Sequence, residues 1–69
     1  MVNIDKLKGK IREKQMSIDE LAGAIDISRA TLYRKLNESD GSKLTVGEVE
    51  GISKTLDLSK SDINLIFFN

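Results

Sequence analysis

The chain has 69 residues, and its 11 lysine and arginine residues balance 11 aspartate and glutamate residues. One small core fits this length, so we expect a single domain over residues 1–69. Cysteine and histidine are both absent, which excludes disulfides, thiolate chemistry and the commonest metal ligand and general base. We therefore predict neither an enzyme nor a metal or cofactor site. The zero net charge also argues, at first, against a nucleic-acid partner.

The sequence shows no sign of export or membrane insertion. Its longest apolar run, residues 65–68, has four residues, whereas a bilayer span needs roughly 20. The N-terminus lacks the basic start and long apolar stretch of a signal peptide, and a small secreted domain would usually need disulfides. We expect a cytoplasmic protein with no membrane partner.

Helical spacing and start signals divide the chain into five short helices. The first covers about residues 3–14, where Ile4, Leu7 and Ile11 recur on one face. Gly9 within it has two interpretations: it permits a close backbone approach, or it is simply tolerated on the solvent face.

Two shorter helices follow. Ser17 and Glu20 form a capping box, in which the serine hydroxyl accepts from the amide three residues on and the glutamate reaches back. This second helix ends near residues 25–26. Ser28 is a good N-cap for a third helix that reaches about residue 37 and whose charged residues are all basic.

The remaining chain begins with a loop, predicted over residues 38–44 from its serine, aspartate and glycine content. A second capping box, Thr45 with Glu48, starts a fourth helix that carries apolar residues to about residue 56. A fifth helix begins near Ser59 and runs into the apolar C-terminus. Strict alternation of apolar and polar residues is missing, so we predict an all-α fold.

The functional signal lies between residues 17 and 36. Two short helices meet there at a brief turn, Asp26-Ile27, which is the helix-turn-helix arrangement. Their apolar residues face one another, with the small Ala22 where the helices come closest. Such a turn needs a left-handed residue, most often glycine. Here we expect Asp26 to take that conformation, which aspartate does at modest cost.

Residues 21–36, LAGAIDISRATLYRKL, resemble the core of the XRE or Cro/CI-type regulators of bacteria and phages. The later Leu56-Asp57-Leu58-Ser59 resembles the family's link between its fourth and fifth helices. The resemblance implies a compact five-helix, lambda-repressor-like DNA-binding domain with the helix-turn-helix in helices 2 and 3. It also implies a sequence-specific regulator, commonly dimeric, most like a small phage or prophage Cro-like repressor. The departure from the family pattern is Asp26 in place of the usual glycine.

In a helix-turn-helix, the N-terminal part of the second helix enters the major groove. The groove-facing positions, opposite the leucine stripe, are the predicted base contacts: Ser28, Arg29, Ala30, Thr31, Tyr33 and Arg34. Arginine pairs with guanine, alanine and the threonine methyl suit the thymine methyl, and hydroxyls pair with donors or acceptors. Two of these residues have a structural alternative, because Tyr33 is otherwise a partly buried core residue and Thr31 otherwise only fixes helix packing.

Phosphate contacts are predicted on both sides of this recognition helix. Helix N-termini bind anions, so Ser17 is expected near a phosphate. The far end of the recognition helix and the following loop supply the others, namely Lys35, Asn37, Ser42 and Lys43. Outside such a motif, Arg34 and Lys35 would be ordinary solvated charges.

The apolar C-terminus has two interpretations. A helix there would place Ile63, Ile66 and Phe67 on one side and Leu65 and Phe68 towards another. Either all of these residues pack into the core, or one face forms an interface. For a dimer or partner interface we single out Leu65, Phe67 and Phe68.

The predicted function is a DNA-binding transcriptional regulator, most simply a repressor that occupies double-stranded DNA as a homodimer. The alternative is a small modulator or antitoxin-type protein that acts mainly by binding a partner protein, such as another regulator. Zero net charge does not exclude DNA, because residues 28–37 hold Arg29, Arg34 and Lys35 without an acid. DNA affinity follows the charge that reaches phosphates, not the total.

Overall fold

The computed structural model describes residues 2–37 and 44–68. They form five helices, α1 (Ile4–Glu13), α2 (Ile18–Ala24), α3 (Arg29–Asn37), α4 (Val46–Thr55) and α5 (Lys60–Phe67), and these two ranges contain no strand. The predicted all-α fold of five helices is confirmed, with helix bounds close to those expected. Most of the predicted loop, residues 38–43, lies outside the described residues. No helix in the described part of the chain is long and apolar enough to cross a membrane.

Short polar side chains start the helices as predicted. The Ser17 hydroxyl accepts from the Glu20 amide at 3.0 Å, and the Glu20 carboxylate accepts from the Ser17 amide at 3.0 Å. Thr45 and Glu48 form the same reciprocal pair at the start of α4. Each cap satisfies amides that lack partners within the helix and stabilises it by about 1 kcal/mol. Both predicted capping boxes are confirmed.

Three helices end alike, with a non-glycine residue in the left-handed conformation. These residues are Gln15, Asp26 and Asp57, with φ of 58°, 61° and 52°. The next amide in each case donates five residues back, as in a Schellman motif: Met16 to Ile11, Ile27 to Ala22 and Leu58 to Ser53. The left-handed turn predicted at position 26 is confirmed, and the same device closes α1 and α4.

All five helices share one core. Its buried side chains are Leu7, Ile11, Leu21, Ala22, Leu32, Leu36, Leu44, Ile52, Leu56, Ile66 and Phe67. A hydrogen bond from the Asn3 amide to the Ile66 carbonyl, at 2.7 Å, links the start of α1 to α5. Because each helix turns one apolar stripe inward, its opposite face is left for solvent or a partner.

One glycine sets the spacing between α2 and α4. A Cβ added to Gly51 would lie 2.8 Å from Cγ2 of Ile25 and 3.4 Å from its Cβ, so the close-packed contact has no room for a methyl group. Ile25 caps the C-terminus of α2, and α4 therefore supports the turn that leads into α3. Gly9, by contrast, has nothing within 4 Å, which favours the solvent-face interpretation.

The apolar residues of α5 lie in two environments. Ile66 is fully buried and Ile63 packs against the core, whereas Leu65 is exposed and Phe68 is 70% exposed. The predicted division of the C-terminus into two sides is therefore confirmed. Phe67, one of the three residues predicted for an interface, is only 6% exposed and belongs mainly to the core.

Candidate nucleic-acid interface

α2 and α3 are joined by the turn that follows Ile25. The left-handed Asp26 reverses the chain, and the Ile27 amide donates to the Ala22 carbonyl at 3.0 Å. The Ile27 side chain packs against the core beneath this turn. Both helices bury their inner residues in the shared core, so the turn holds α3 with its outer face free.

The start of α3 is occupied by a local hydrogen-bond pair. Ser28 Oγ accepts from the Thr31 amide at 3.1 Å, and its hydroxyl donates to Thr31 Oγ1 at 2.8 Å. Ser28 is thus the predicted N-cap, and Thr31 is half-buried beside it. Of the predicted base contacts, these two hydroxyls already have partners in the protein.

The outer face of α3 carries the other four predicted base contacts. Arg29, Ala30, Tyr33 and Arg34 are all exposed, and Tyr33 shows 54% of its surface. Tyr33 is therefore not a core residue, which removes its structural alternative. Within residues 2–37 and 44–68, neither arginine takes part in an ion pair, so their guanidinium donors remain available for base edges or phosphates.

The predicted phosphate contacts are in varied surroundings. Asn37 is exposed; its Oδ1 accepts from Lys8 Nζ at 2.7 Å, and its Nδ2 donates to the Tyr33 carbonyl at 2.8 Å. The ammonium of Lys35 is held by Glu48, at 2.8 Å from Oε1 and 2.7 Å from Oε2. The negative charge of Glu48 offsets that of Lys35, whereas Lys8 has the neutral amide of Asn37 as its partner.

Two further predicted phosphate contacts, Ser42 and Lys43, lie outside the described residues. Ser17 is exposed, but both its hydroxyl and its amide are used in the capping box with Glu20. Asp19 also lies in the first turn of α2. The acidic start of α2 therefore leaves Ser17 little attraction for a phosphate.

The sequence reasoning missed a pair of cations on α1. Lys8 and Arg12 border a recess of about 270 Å³ whose other walls include Tyr33 and Asn37 of α3 and Ile18 of α2. Their spacing of four residues, which places them on one helix face, was the available signal. The recess joins the positive face of α1 to the exposed face of α3.

A short capped helix, a left-handed turn and a second helix with one buried and one basic face define a helix-turn-helix DNA-binding domain. The family model of the Cro/C1-type HTH DNA-binding domain matches residues 6–66. The chain belongs to this family, which confirms the resemblance and makes double-stranded DNA its ligand. No curated protein and no solved structure shows significant similarity to the chain.

Proposed function

We propose that the chain is a sequence-specific, Cro-like transcriptional repressor whose α3 lies in the major groove. The observation that carries this proposal is the outer face of α3, where Arg29 and Arg34 stand exposed beside Ala30 and Tyr33. Arginine reads guanine through two parallel hydrogen bonds, and alanine suits the thymine methyl. Ser28 and Thr31 contribute mainly by capping the helix that presents these side chains.

The flanking phosphate contacts come from two helices. Arg12 and Lys8 of α1 and Asn37 of α3 surround one recess, and we assign it to the phosphate backbone on that side of the groove. Such contacts fix the register of the recognition helix without reading sequence. Because few cations take part, the salt dependence of binding is expected to be shallow.

Dimer formation is assigned to an apolar groove of about 580 Å³ between α4 and α5, lined by Leu44, Val46, Val49, Ile63, Phe67 and Phe68. Val46 and Phe68 are largely exposed there. Glu50 and Lys54 also line it, and a two-fold axis that sets Glu50 of one copy opposite Lys54 of the other would form two symmetric ion pairs. The proposed occupant is therefore a second copy of this chain, as an operator with two half-sites requires.

Selection of bound duplexes from a random DNA pool tests the proposal. A repressor of this kind enriches one palindromic sequence, because each subunit reads one half-site. Enrichment of a single half-site would leave sequence-specific binding intact and remove the dimer. Absence of any enriched sequence would overturn the proposal and favour a modulator or antitoxin-type protein whose groove holds another protein.

A further inference from the structure

One ion pair joins the end of the recognition helix to the start of the next helix. Lys35 lies in the last turn of α3 and Glu48 in the first turn of α4. The ammonium lies 2.8 and 2.7 Å from the two carboxylate oxygens. The side chains are only 19% and 11% exposed, so the pair is partly shielded from water and salt.

The carboxylate of this pair is itself held in place. Glu48 Oε1 also accepts from the Thr45 amide at 2.8 Å, and the Glu48 amide donates to Thr45 Oγ1 at 3.0 Å. The capping box thus fixes the carboxylate relative to the axis of α4. The Lys35 ammonium, bound to this carboxylate, is therefore held in a defined position relative to α4.

The rest of the packing of α3 is less directional. Leu32 and Leu36 are buried on its inner face, and apolar contacts tolerate small rotations of a helix about its own axis. Base contacts do not, because two parallel hydrogen bonds to guanine need a defined angle. Directional contacts near the far end of α3 therefore matter for reading bases, and the Lys35–Glu48 pair is a charged one, next to the hydrogen bond between Lys8 and Asn37.

We propose that Lys35 and Glu48 are a positioning pair that sets the rotation of α3 in the groove, and that Lys35 does not contact a phosphate. This inference rests on the proposed function, since it assumes that α3 reads bases. It replaces the phosphate role expected for Lys35 from the sequence. The pair acts through Arg29 and Arg34, which make the base contacts.

Three variants test the pair against the phosphate role. Lys35→Met removes the charge, Lys35→Arg keeps it, and Glu48→Gln removes the opposite charge while retaining a residue that completes capping boxes. Affinities for the selected site and for a scrambled duplex are measured by fluorescence anisotropy across salt concentrations. Circular dichroism melts ensure that binding is measured well below each melting temperature.

The positioning role predicts a matched loss of discrimination. Lys35→Met and Glu48→Gln should each lower the ratio of specific to scrambled affinity by about tenfold, and the double variant should be no worse than either. The dependence of affinity on salt should be unchanged, and Lys35→Arg should restore discrimination.

A phosphate role predicts the opposite pattern and would overturn the inference. Lys35→Met would then weaken both duplexes and lower the salt slope by about 0.9, while Glu48→Gln would leave binding unchanged or tighten it. If all variants keep the wild-type ratio of affinities for the selected and scrambled duplexes, the positioning role is wrong but the proposed function is unaffected. A wild-type protein that does not discriminate between the duplexes overturns the proposed function itself, and the pair with it.

Discussion

Two exposed faces of this small domain differ in their chemistry. On the outer face of α3, Arg29 and Arg34 are exposed and form no ion pair within the described ranges. Between α4 and α5, the surface is an apolar groove with Phe68 exposed at its edge and one charge of each sign, Glu50 and Lys54. Cations suit phosphates and base edges, whereas an apolar groove suits another protein surface. DNA contact and assembly should therefore be separable by mutation.

The largest expected effect is on the α3 face. Arg29→Ala and Arg34→Ala should each weaken binding to the selected site by about 1–3 kcal/mol, because each removes donors aimed at base edges. Fluorescence anisotropy with the selected duplex measures this loss. The melting temperature should stay unchanged, since both side chains are exposed.

Lys60→Ala is the matched control, because it removes one exposed positive charge from α5. Its affinity should stay within about twofold of wild type, because salt screens an exposed charge on a helix outside the proposed interface. If the double arginine variant still selects the same site with the same affinity, α3 is not the reading helix.

The next effect is expected on stability, at the close contact between Gly51 of α4 and Ile25 at the end of α2. Gly51→Ala should destabilise the domain by about 1–3 kcal/mol, because its methyl group would meet Ile25, whose branched side chain has little rotamer freedom. Chemical denaturation measures the change. Gly9→Ala, with open space around it, should instead stabilise the domain by about 0.5–1 kcal/mol.

A double-mutant cycle distinguishes this clash from a general intolerance of α4. Ile25→Ala creates room, so Gly51→Ala should cost much less in that background. Equal costs in the two backgrounds would show that the contact with Ile25 is not the reason for glycine at position 51.

The apolar face offers the third test. Phe68→Ser should raise the dissociation constant of the proposed dimer by about tenfold or more, since an exposed aromatic side chain loses its burial. Sedimentation equilibrium measures the constant. Leu65→Ser is the control, because Leu65 is exposed but does not line the groove. Affinity for a single half-site should be the same in both variants, and a larger effect of Leu65→Ser would place the interface on the other side of α5.

A smaller, pH-dependent effect is expected from the link between α3 and α4. Burial alone would raise the pKa of the Glu48 carboxyl, but hydrogen bonds from Lys35 and the Thr45 amide outweigh it, so the pKa lies below its ordinary value of 4.5. Such a carboxyl stabilises the fold above its unfolded-state pKa, and this contribution disappears as the pH falls through the folded-state pKa.

Wild type should therefore exceed Glu48→Gln in unfolding free energy by about 1 kcal/mol near neutral pH, and the difference should shrink as the pH falls below 4.5 and through the lower pKa of the folded state. Urea denaturation at several pH values measures it. A difference that stays constant with pH would mean that the glutamate acts through its shape and capping alone.

The features that the sequence predicted well depend on residues close together in the chain. Helix starts follow from a short polar side chain and the residue three positions later, as Ser17 and Glu20 show. The partner of Lys35 lies 13 residues away, and Gly51 meets the distant Ile25. Such contacts depend on how helices cross, which no local pattern contains. The candidate site was only partly predicted for the same reason. The exposed face of α3 follows from the helical spacing of its leucines, but the recess between α1 and α3 depends on how these two helices pack.

The smallest effect is expected at two of the left-handed residues that end helices, one before α3 and one before α5. Asp26 precedes α3 and Asp57 precedes α5, and both are left-handed. Asp26→Gly and Asp57→Gly should each stabilise the domain by about 0.5 kcal/mol, because glycine adopts this conformation without steric cost but is more flexible when unfolded. Only Asp26→Gly should also tighten DNA binding, since it removes a negative charge three residues before Arg29, at the end of α3 that enters the groove. Equal tightening by both variants would show that the gain comes from stability and not from the charge at the turn.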